Sequence, residues 1–161
     1  HMLSSDGLPV SPGDIGCCLS HAKTAKLAKI NELENYLVME DDIQLKSNFR
    51  SLFSSFISEV PNDWEILFLG GSHNGTKHFV HNNIVKATNI FTTHAVAFRD
   101  TVYDSLIEIW EKRDEKVDIA LATLQTKFNT YAFEPFLVGQ RASYSDIQEK
   151  EMYYEHLDVN K

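Results

Sequence analysis

Tyr36-Leu37-Val38-Met39-Glu40-Asp41-Asp42 is a short apolar run that ends in three consecutive carboxylates. The run has the length and composition of a buried strand, and the acids fall where it leaves the sheet. Three neighbouring carboxylates repel one another and resist burial unless a cation lies nearby. Hard divalent cations suit such a place, because Mg²⁺ and Mn²⁺ prefer oxygen ligands and bridge to phosphates. An acidic strand end in an α/β sheet therefore points to nucleotide-phosphate chemistry, since ligands of such sheets gather beyond the strand ends. Side chains alternate along a strand, so Glu40 and Asp42 share one side and Asp41 faces the other.

Upstream, Ser11, Pro12 and Asp14 form a helix start. Ser11 caps, Pro12 suits the first helical position, and Asp14 favours the positive end of the helix dipole. The spacing of Ile15, Leu19, Ala22, Ala25, Leu27, Ala28 and Ile30 predicts a helix from Pro12 to Glu32, with Lys23, Lys26 and Lys29 on its exposed face. Downstream, Phe49, Leu52, Phe53, Phe56, Ile57 and Val60 predict a helix over residues 48–60, stopped by Pro61-Asn62-Asp63. Residues 64–69 read as a second strong strand, closed by Gly70 and Gly71. Residues 72–83 are polar and read as a surface loop with a weak strand near Phe79. Short strands over 84–88 and 91–98, helices over 99–113 and 117–128, and a strand over 131–138 follow; Pro135 puts the last at an edge or bend. Residues 139–161 read as irregular, apart from a helix near 145–154. This alternation predicts a layered α/β domain, a mixed sheet between helices, over residues 11–147. Residues 1–10 read as an expression scar (His1-Met2) and a loop, and residues 148–161 as a tail or an arm folding over the site.

At 161 residues the chain fits one domain, enough to bury roughly 70% of its unfolded surface. The net charge of -8 argues against a binder of bulk nucleic acid. It does not argue against a nucleotide whose phosphates meet a metal. No apolar run approaches the roughly 20 residues that span a bilayer, and no secretory signal is visible. Cys17 and Cys18 are adjacent, so they build neither a disulfide framework nor a zinc site, and read as helical thiols, one facing the core. Asn74-Gly75-Thr76 is an N-glycosylation triplet with meaning only in a secretory lumen. Compartment, cytoplasmic or lumenal, is left open.

Asp14-Ile15-Gly16-Cys17-Cys18-Leu19-Ser20-His21 followed by Val38-Met39-Glu40-Asp41-Asp42 resembles glycosyltransferase family 25. That family includes bacterial lipooligosaccharide galactosyltransferases and the collagen hydroxylysine galactosyltransferases. Trp64 to Gly71 resembles its next strand, and Thr92 to Phe98 a later one. Val117-Asp118 resembles a helix start of the family, and Gln140 with Ser145-Asp146-Ile147 its C-terminal signature. The matches run in order over most of residues 11–147. The resemblance implies a GT-A-type, Rossmann-like nucleotide-sugar fold. It implies metal-assisted transfer of a hexose, galactose or glucose, from a UDP-sugar to a hydroxyl of a glycan or protein acceptor. Family members usually begin with a further βα unit that helps hold the nucleotide base; this sequence starts after it, so the fold is expected either truncated or in a reduced relative.

The resemblance also implies roles. Mn²⁺ (or Mg²⁺) is held at Glu40 and Asp42, with Asp42 the direct ligand and Glu40 orienting, while Asp41 turns toward the ribose or a metal-bound water. Ser20 and His21 lie on the preceding helix, where His21 contacts the diphosphate or orients a carboxylate, or is simply satisfied at a helix–strand junction. Asp118 is the candidate general base, although a helix dipole explains an acid there too, and Glu134 is its rival. Gly70 and Gly71 permit close approach to the sugar or form an ordinary tight turn. Gln140 and Asp146 close over the donor or complete the metal shell. His94, Tyr131, Phe133 and Phe136 read as structural. Two other readings stand: a non-catalytic module of the same fold without a complete donor site, and a metal-dependent phosphohydrolase, which fits the carboxylates but not the helix motif.

Overall fold

The computed structural model describes residues 3–145, 150–152 and 157–160. Helix α1 (Pro12–Ile30) starts as its sequence predicts. The Ser11 hydroxyl accepts from the Asp14 amide at 3.1 Å, and the Asp14 carboxylate accepts from the Ser11 amide at 2.9 Å. The helix ends before the expected Glu32, which sits at φ 52 and cannot continue a right-handed helix. Strands β1 (Asn35–Met39) and β2 (Ile43–Leu45), helix α2 (Phe49–Ile57), and strands β3 (Ile66–Phe68), β4 (Ser72–His73), β5 (His78–His81), β6 (Ile84–Lys86), β7 (Ile90–Phe91) and β8 (Ala95–Arg99) follow. A 3₁₀ turn leads into α3 (Tyr103–Lys112), then α4 (Val117–Ala122), β9 (Thr130–Phe133), β10 (Val138–Gln140), β11 (Ser143–Ser145) and β12 (Lys150–Met152).

The central sheet has six strands in the order β1-β8-β3-β9-β6-β5. It is mixed but mostly antiparallel. The one parallel pair, β3 with β9, is joined by a crossover that contains α3 and α4, as parallel neighbours require. Ile66 and Phe68 face one hydrophobic cluster and Leu67 the other. That double burial is why β3 reads as an unbroken apolar run. On one face pack Cys18, Ala22, Ala25 and Ala28 of α1 with Leu106 and Trp110 of α3. On the other, Phe56 of α2 packs on Phe133 edge to face at 5.4 Å. The sheet therefore lies between helices. Among the described residues no helix is long and apolar enough to cross a membrane.

Several sequence expectations shift. Leu27 and Ile30 of α1 are 50% and 75% exposed, because the alanines let the helix approach α3 closely and so face the core instead. The stretch expected as a loop over 72–83 contributes β4, paired with β7, and β5, an edge strand of the sheet. The expected strand 91–98 breaks at Thr92, whose φ is 65. Helix α4 stops at Ala122 and continues as three-residue turns. There Gln125 turns inward, and its amide accepts from and donates to the backbone of Ile90 at 2.8 and 2.6 Å. The expected strand 131–138 divides at a cis Glu134–Pro135 bond into β9 and β10. β10 leaves the sheet to pair with β2, which the sequence reading did not resolve. Within the expected helix near 145–154, the described residues form strand pairs instead, β11 with β12. Local propensity there yields to cross-strand pairing.

Candidate functional site

The acids lie one step past the end of β1. The Glu40 amide donates to the His94 carbonyl at 3.0 Å, extending the β1–β8 ladder by one bond. That fixes the Glu40 backbone against the start of β8. Its side chain is fixed as well: Oε1 accepts from the Thr93 hydroxyl at 3.1 Å. The amide nitrogen of Gln140 reaches Glu40 Oε2 at 3.4 Å and the two oxygens of Asp42 at 3.3 and 3.4 Å. Pairing of β10 with β2 sets Gln140 there, opposite Ile43, and the Arg141 amide donates to the Asp42 carbonyl at 2.9 Å. Glu40 and Asp42 thus share one partner, while Asp41 is exposed and lends its carbonyl to Arg141.

Burial acts to raise the Glu40 carboxyl. The facing His21 imidazole, the Thr93 hydroxyl and His94 more than offset it, and the carboxyl lies below its ordinary value. The His21 contact, 3.9 Å from Nε2 to Oε1, is too long for a hydrogen bond. His21 is 6% exposed, packs on Trp110 with ring centroids 5.1 Å apart, and its Nδ1 has no partner among the described residues. Ser20 is not brought to the acids. It faces solvent, and its hydroxyl donates to the Gly16 carbonyl one turn back at 2.9 Å. Cys17 flanks the site. Burial first, then the charges of Glu40, Cys18, Asp118 and Asp14, push its thiol up to about 12, so it is protonated and inert at neutral pH.

His94 is a strut. Its Nε2 donates to the Val138 carbonyl at 3.1 Å, since a carbonyl only accepts, and its Nδ1 accepts from the Thr92 hydroxyl at 3.0 Å. Burial keeps the ring below its ordinary pKa, against the opposing pull of Val138, Glu40 and Asp42. Gly70 lies against this strut. A Cβ there would overlap His94 Nε2 and the Val138 carbonyl oxygen, and one on Gly71 would meet Ile90 Cγ2 at 2.5 Å. The close approach at both glycines is made by the protein's own chain.

Asp118 sits in the first turn of α4. Its Oδ1 accepts from the Ile119 amide at 2.9 Å and its Oδ2 from the Thr92 amide at 3.2 Å. A continuous polar chain therefore runs from Asp118 through Thr92 and Thr93 to Glu40, Gln140 and Asp42. Thr92 and Thr93 were missed from the sequence; the available signal was a Thr-Thr-His triplet interrupting an apolar strand. Glu134 lies elsewhere, bonded to Lys77 at 2.7 Å. It lines a cavity of about 260 Å³ with Lys46, Gly71, Phe136, Val138 and Asp158. Asp146 falls outside the described residues.

Among the described residues no group of three or more His, Cys, Asp or Glu side chains has metal-holding geometry. The acids instead offer two carboxylates and a carboxamide. The two carboxylates are oxygen donors of the kind hard divalent cations take, while Gln140 turns its amide nitrogen toward both. The Gln140 amide hydrogens, the positive end of that dipole, stand between the two carboxylates where positive charge is wanted.

A mixed sheet between helices, with an acid pair just beyond β1 and paired glycines just beyond β3, is consistent with a glycosyltransferase-like domain. The sequence model of "Glycosyltransferase family 25 (LPS biosynthesis protein)" matches residues 2–132. The chain belongs to glycosyltransferase family 25. Procollagen galactosyltransferase 2 of Mus musculus is 34% identical over 65 residues, 38% of this chain and 10% of that protein. Inactive glycosyltransferase 25 family member 3 of Homo sapiens is 31% identical over 67 residues, 40% of this chain and 11% of that protein. Procollagen galactosyltransferase 1 of Danio rerio is 30% identical over 67 residues, with the same coverage. The matched stretch thus spans about a tenth of the length of these relatives.

Proposed function

We propose that this chain carries a hexosyltransferase site that moves galactose or glucose from a UDP-sugar to a hydroxyl of a glycan or protein acceptor. The observation that carries the reading is the convergence of Glu40, Asp42 and Gln140 beyond β1 in a member of this family. The two galactosyltransferase names among the relatives favour galactose. Glu40 and Asp42 are the residues to hold Mn²⁺ or Mg²⁺, which when bound supplies positive charge to a departing diphosphate. The depressed Glu40 pKa keeps that side chain ionised and ready. Gln140 turns its amide aside or offers its oxygen, His21 orients Glu40 from the helix side, and exposed Asp41 is free to meet the ribose. On the acceptor side the base is assigned to Glu134 rather than Asp118. Glu134 is favoured because it lines an open cavity beside Gly71, whereas both Asp118 oxygens already hold backbone amides.

The test is calorimetric binding of UDP and UDP-galactose with and without Mn²⁺, on the wild type and on Asp42→Ala. Metal-dependent binding that Asp42→Ala abolishes without lowering the melting temperature supports the reading. Full binding by Asp42→Ala refutes the metal assignment. A second reading, a non-catalytic module, is favoured by the family's inactive member matching to a similar extent. It prevails if neither this chain nor a longer one binds the donor with Mn²⁺.

A further inference from the structure

We propose that Asp118 is a positioning residue that holds Glu40 in place through the Thr92–Thr93 turn, and this rests on the reading of Glu40 as part of the donor site. Thr92 has φ 65. That is a left-handed conformation which a β-branched residue rarely adopts and which persists only where its surroundings impose it. Asp118 supplies the restraint: Oδ2 accepts the Thr92 amide at 3.2 Å, while Oδ1 is anchored on its own helix by the Ile119 amide at 2.9 Å. The kink at Thr92 sets where the next two side chains go. The Thr92 hydroxyl reaches His94 Nδ1 at 3.0 Å, and the hydroxyl of buried Thr93 reaches Glu40 Oε1 at 3.1 Å. The His94 carbonyl then takes the Glu40 amide at 3.0 Å. Glu40 is held at both its backbone and its carboxylate by the two residues that follow the kink. Without the Asp118 acceptor, Thr92 relaxes to an extended backbone, the Thr93 hydroxyl leaves Glu40, and the carboxylate loses its aim.

This role differs from that of a general base in what the conservative variant does. Asn at position 118 keeps one oxygen, enough for the Thr92 amide with the Ile119 bond given up, but takes up no proton from an acceptor. Asp118→Asn, Asp118→Ala and Thr93→Val are compared by three measurements: hydrogen exchange of the Thr92 amide, Mn²⁺-dependent UDP affinity, and the pH profile of donor turnover. Asp118→Asn is expected to keep Thr92 protected, affinity within about threefold, and the pH profile unmoved. Asp118→Ala is expected to expose Thr92 to exchange and weaken UDP–Mn²⁺ binding about 10- to 100-fold, the range for losing one hydrogen bond to a charged group. Thr93→Val is expected to weaken binding similarly with Thr92 still protected. The double variant is expected to be no worse than Asp118→Ala, because both act along one path. If Asp118→Ala does not fold, Asp118→Asn against Thr93→Val carries the contrast. An Asp118→Asn protein as inactive as a dead enzyme, with Thr92 still protected, overturns the proposal in favour of direct proton transfer. Wild-type protection of Thr92 in Asp118→Ala overturns it too. A wild type that binds no UDP with Mn²⁺ refutes the functional reading, and the exchange data then still decide whether Asp118 holds the turn.

Discussion

Gly70→Ala separates a glycine kept for the substrate from a glycine kept for the fold. The added methyl carbon would overlap the Val138 carbonyl oxygen and His94 Nε2, and lie 3.0 Å from the Val138 carbonyl carbon. Two of these atoms are the partners of a buried hydrogen bond, His94 to Val138 at 3.1 Å. Neither is the flexible end of a long side chain. Overpacking of this kind costs about 1–3 kcal/mol, and forcing apart a buried donor and acceptor adds about 1–3 kcal/mol. Together these give about 2–6 kcal/mol, a large part of a stability of roughly 5–15 kcal/mol. At about 2–4 °C per kcal/mol for a domain near this size, the melting temperature is expected to fall by about 4–24 °C. The damage is not confined to stability, because Val138 leads along β10 to Gln140, two residues on. UDP–Mn²⁺ affinity is expected to fall even at temperatures where the variant is folded. The assay is thermal unfolding by circular dichroism, with calorimetric binding at 15 °C. A variant that melts within a degree of the wild type but no longer turns over donor would refute this reasoning, and would return Gly70 to the sugar.

Gln140→Glu sets a third carboxylate between Glu40 and Asp42. In chelator it is expected to lose about 2 kcal/mol of stability through like-charge contact, and Mn²⁺ at about 100 times its Kd is expected to restore about 2.7 kcal/mol; equal melting with and without Mn²⁺ counts against a cation site. His94 has its folded-state pKa held below the ordinary 6.5 by burial. The unfolded chain therefore takes up its proton first, so the contribution is full above pH 6.5 and is lost as pH falls toward the folded value. His94→Gln, although less stable, is expected to show a flatter loss of stability between pH 7 and 5, and an unchanged slope would contradict it. Glu40 has its folded pKa below the ordinary 4.5. Its ionised form stabilises above that pH and the benefit goes as pH falls through the folded value, so Glu40→Gln is expected to lessen acid denaturation below pH 4.5, read from urea midpoints against pH.

The elements that were legible are those whose signals are local. The Ser11–Asp14 cap is written in four residues, and β1 and β3 are apolar runs ending in acids and glycines, although β1, expected as buried, is an edge strand with Leu37 and Met39 41% and 39% exposed. What was not legible depends on partners far along the chain. Nothing near Leu19, Leu27 or Ile30 says that alanines, not leucines, will face α3. Three-residue β2 is too short to read alone and exists because β10 pairs with it. The bond from Gln140 to Glu40 spans 100 positions, and only that pairing brings the amide to the acids. The left-handed Thr92 is hidden for the same reason: its conformation is imposed by Asp118, 26 positions away. The Thr-Thr-His triplet it heads marks a polar break in the strand but not its left-handed turn.

The glycines carry this argument furthest. Gly70-Gly71 after a strong strand invites the reading that a ligand comes close. The structure puts Val138 and Ile90 against them instead. β10 needs that room, because its three residues have three tasks. Val138 receives the His94 strut. A side chain on Gly139 would collide with the Leu157 carbonyl, so the returning C-terminal segment lies directly over it. Lys46 next to β2 fastens that segment by donating to the Val159 carbonyl at 2.6 Å. Gln140 then emerges between Glu40 and Asp42. The acid pair is therefore assembled by a strand outside the main sheet, seated by Gly70 on one side and the C-terminal segment on the other. Its geometry depends on backbone clearance at Gly70 and Gly139 as much as on the carboxylates themselves.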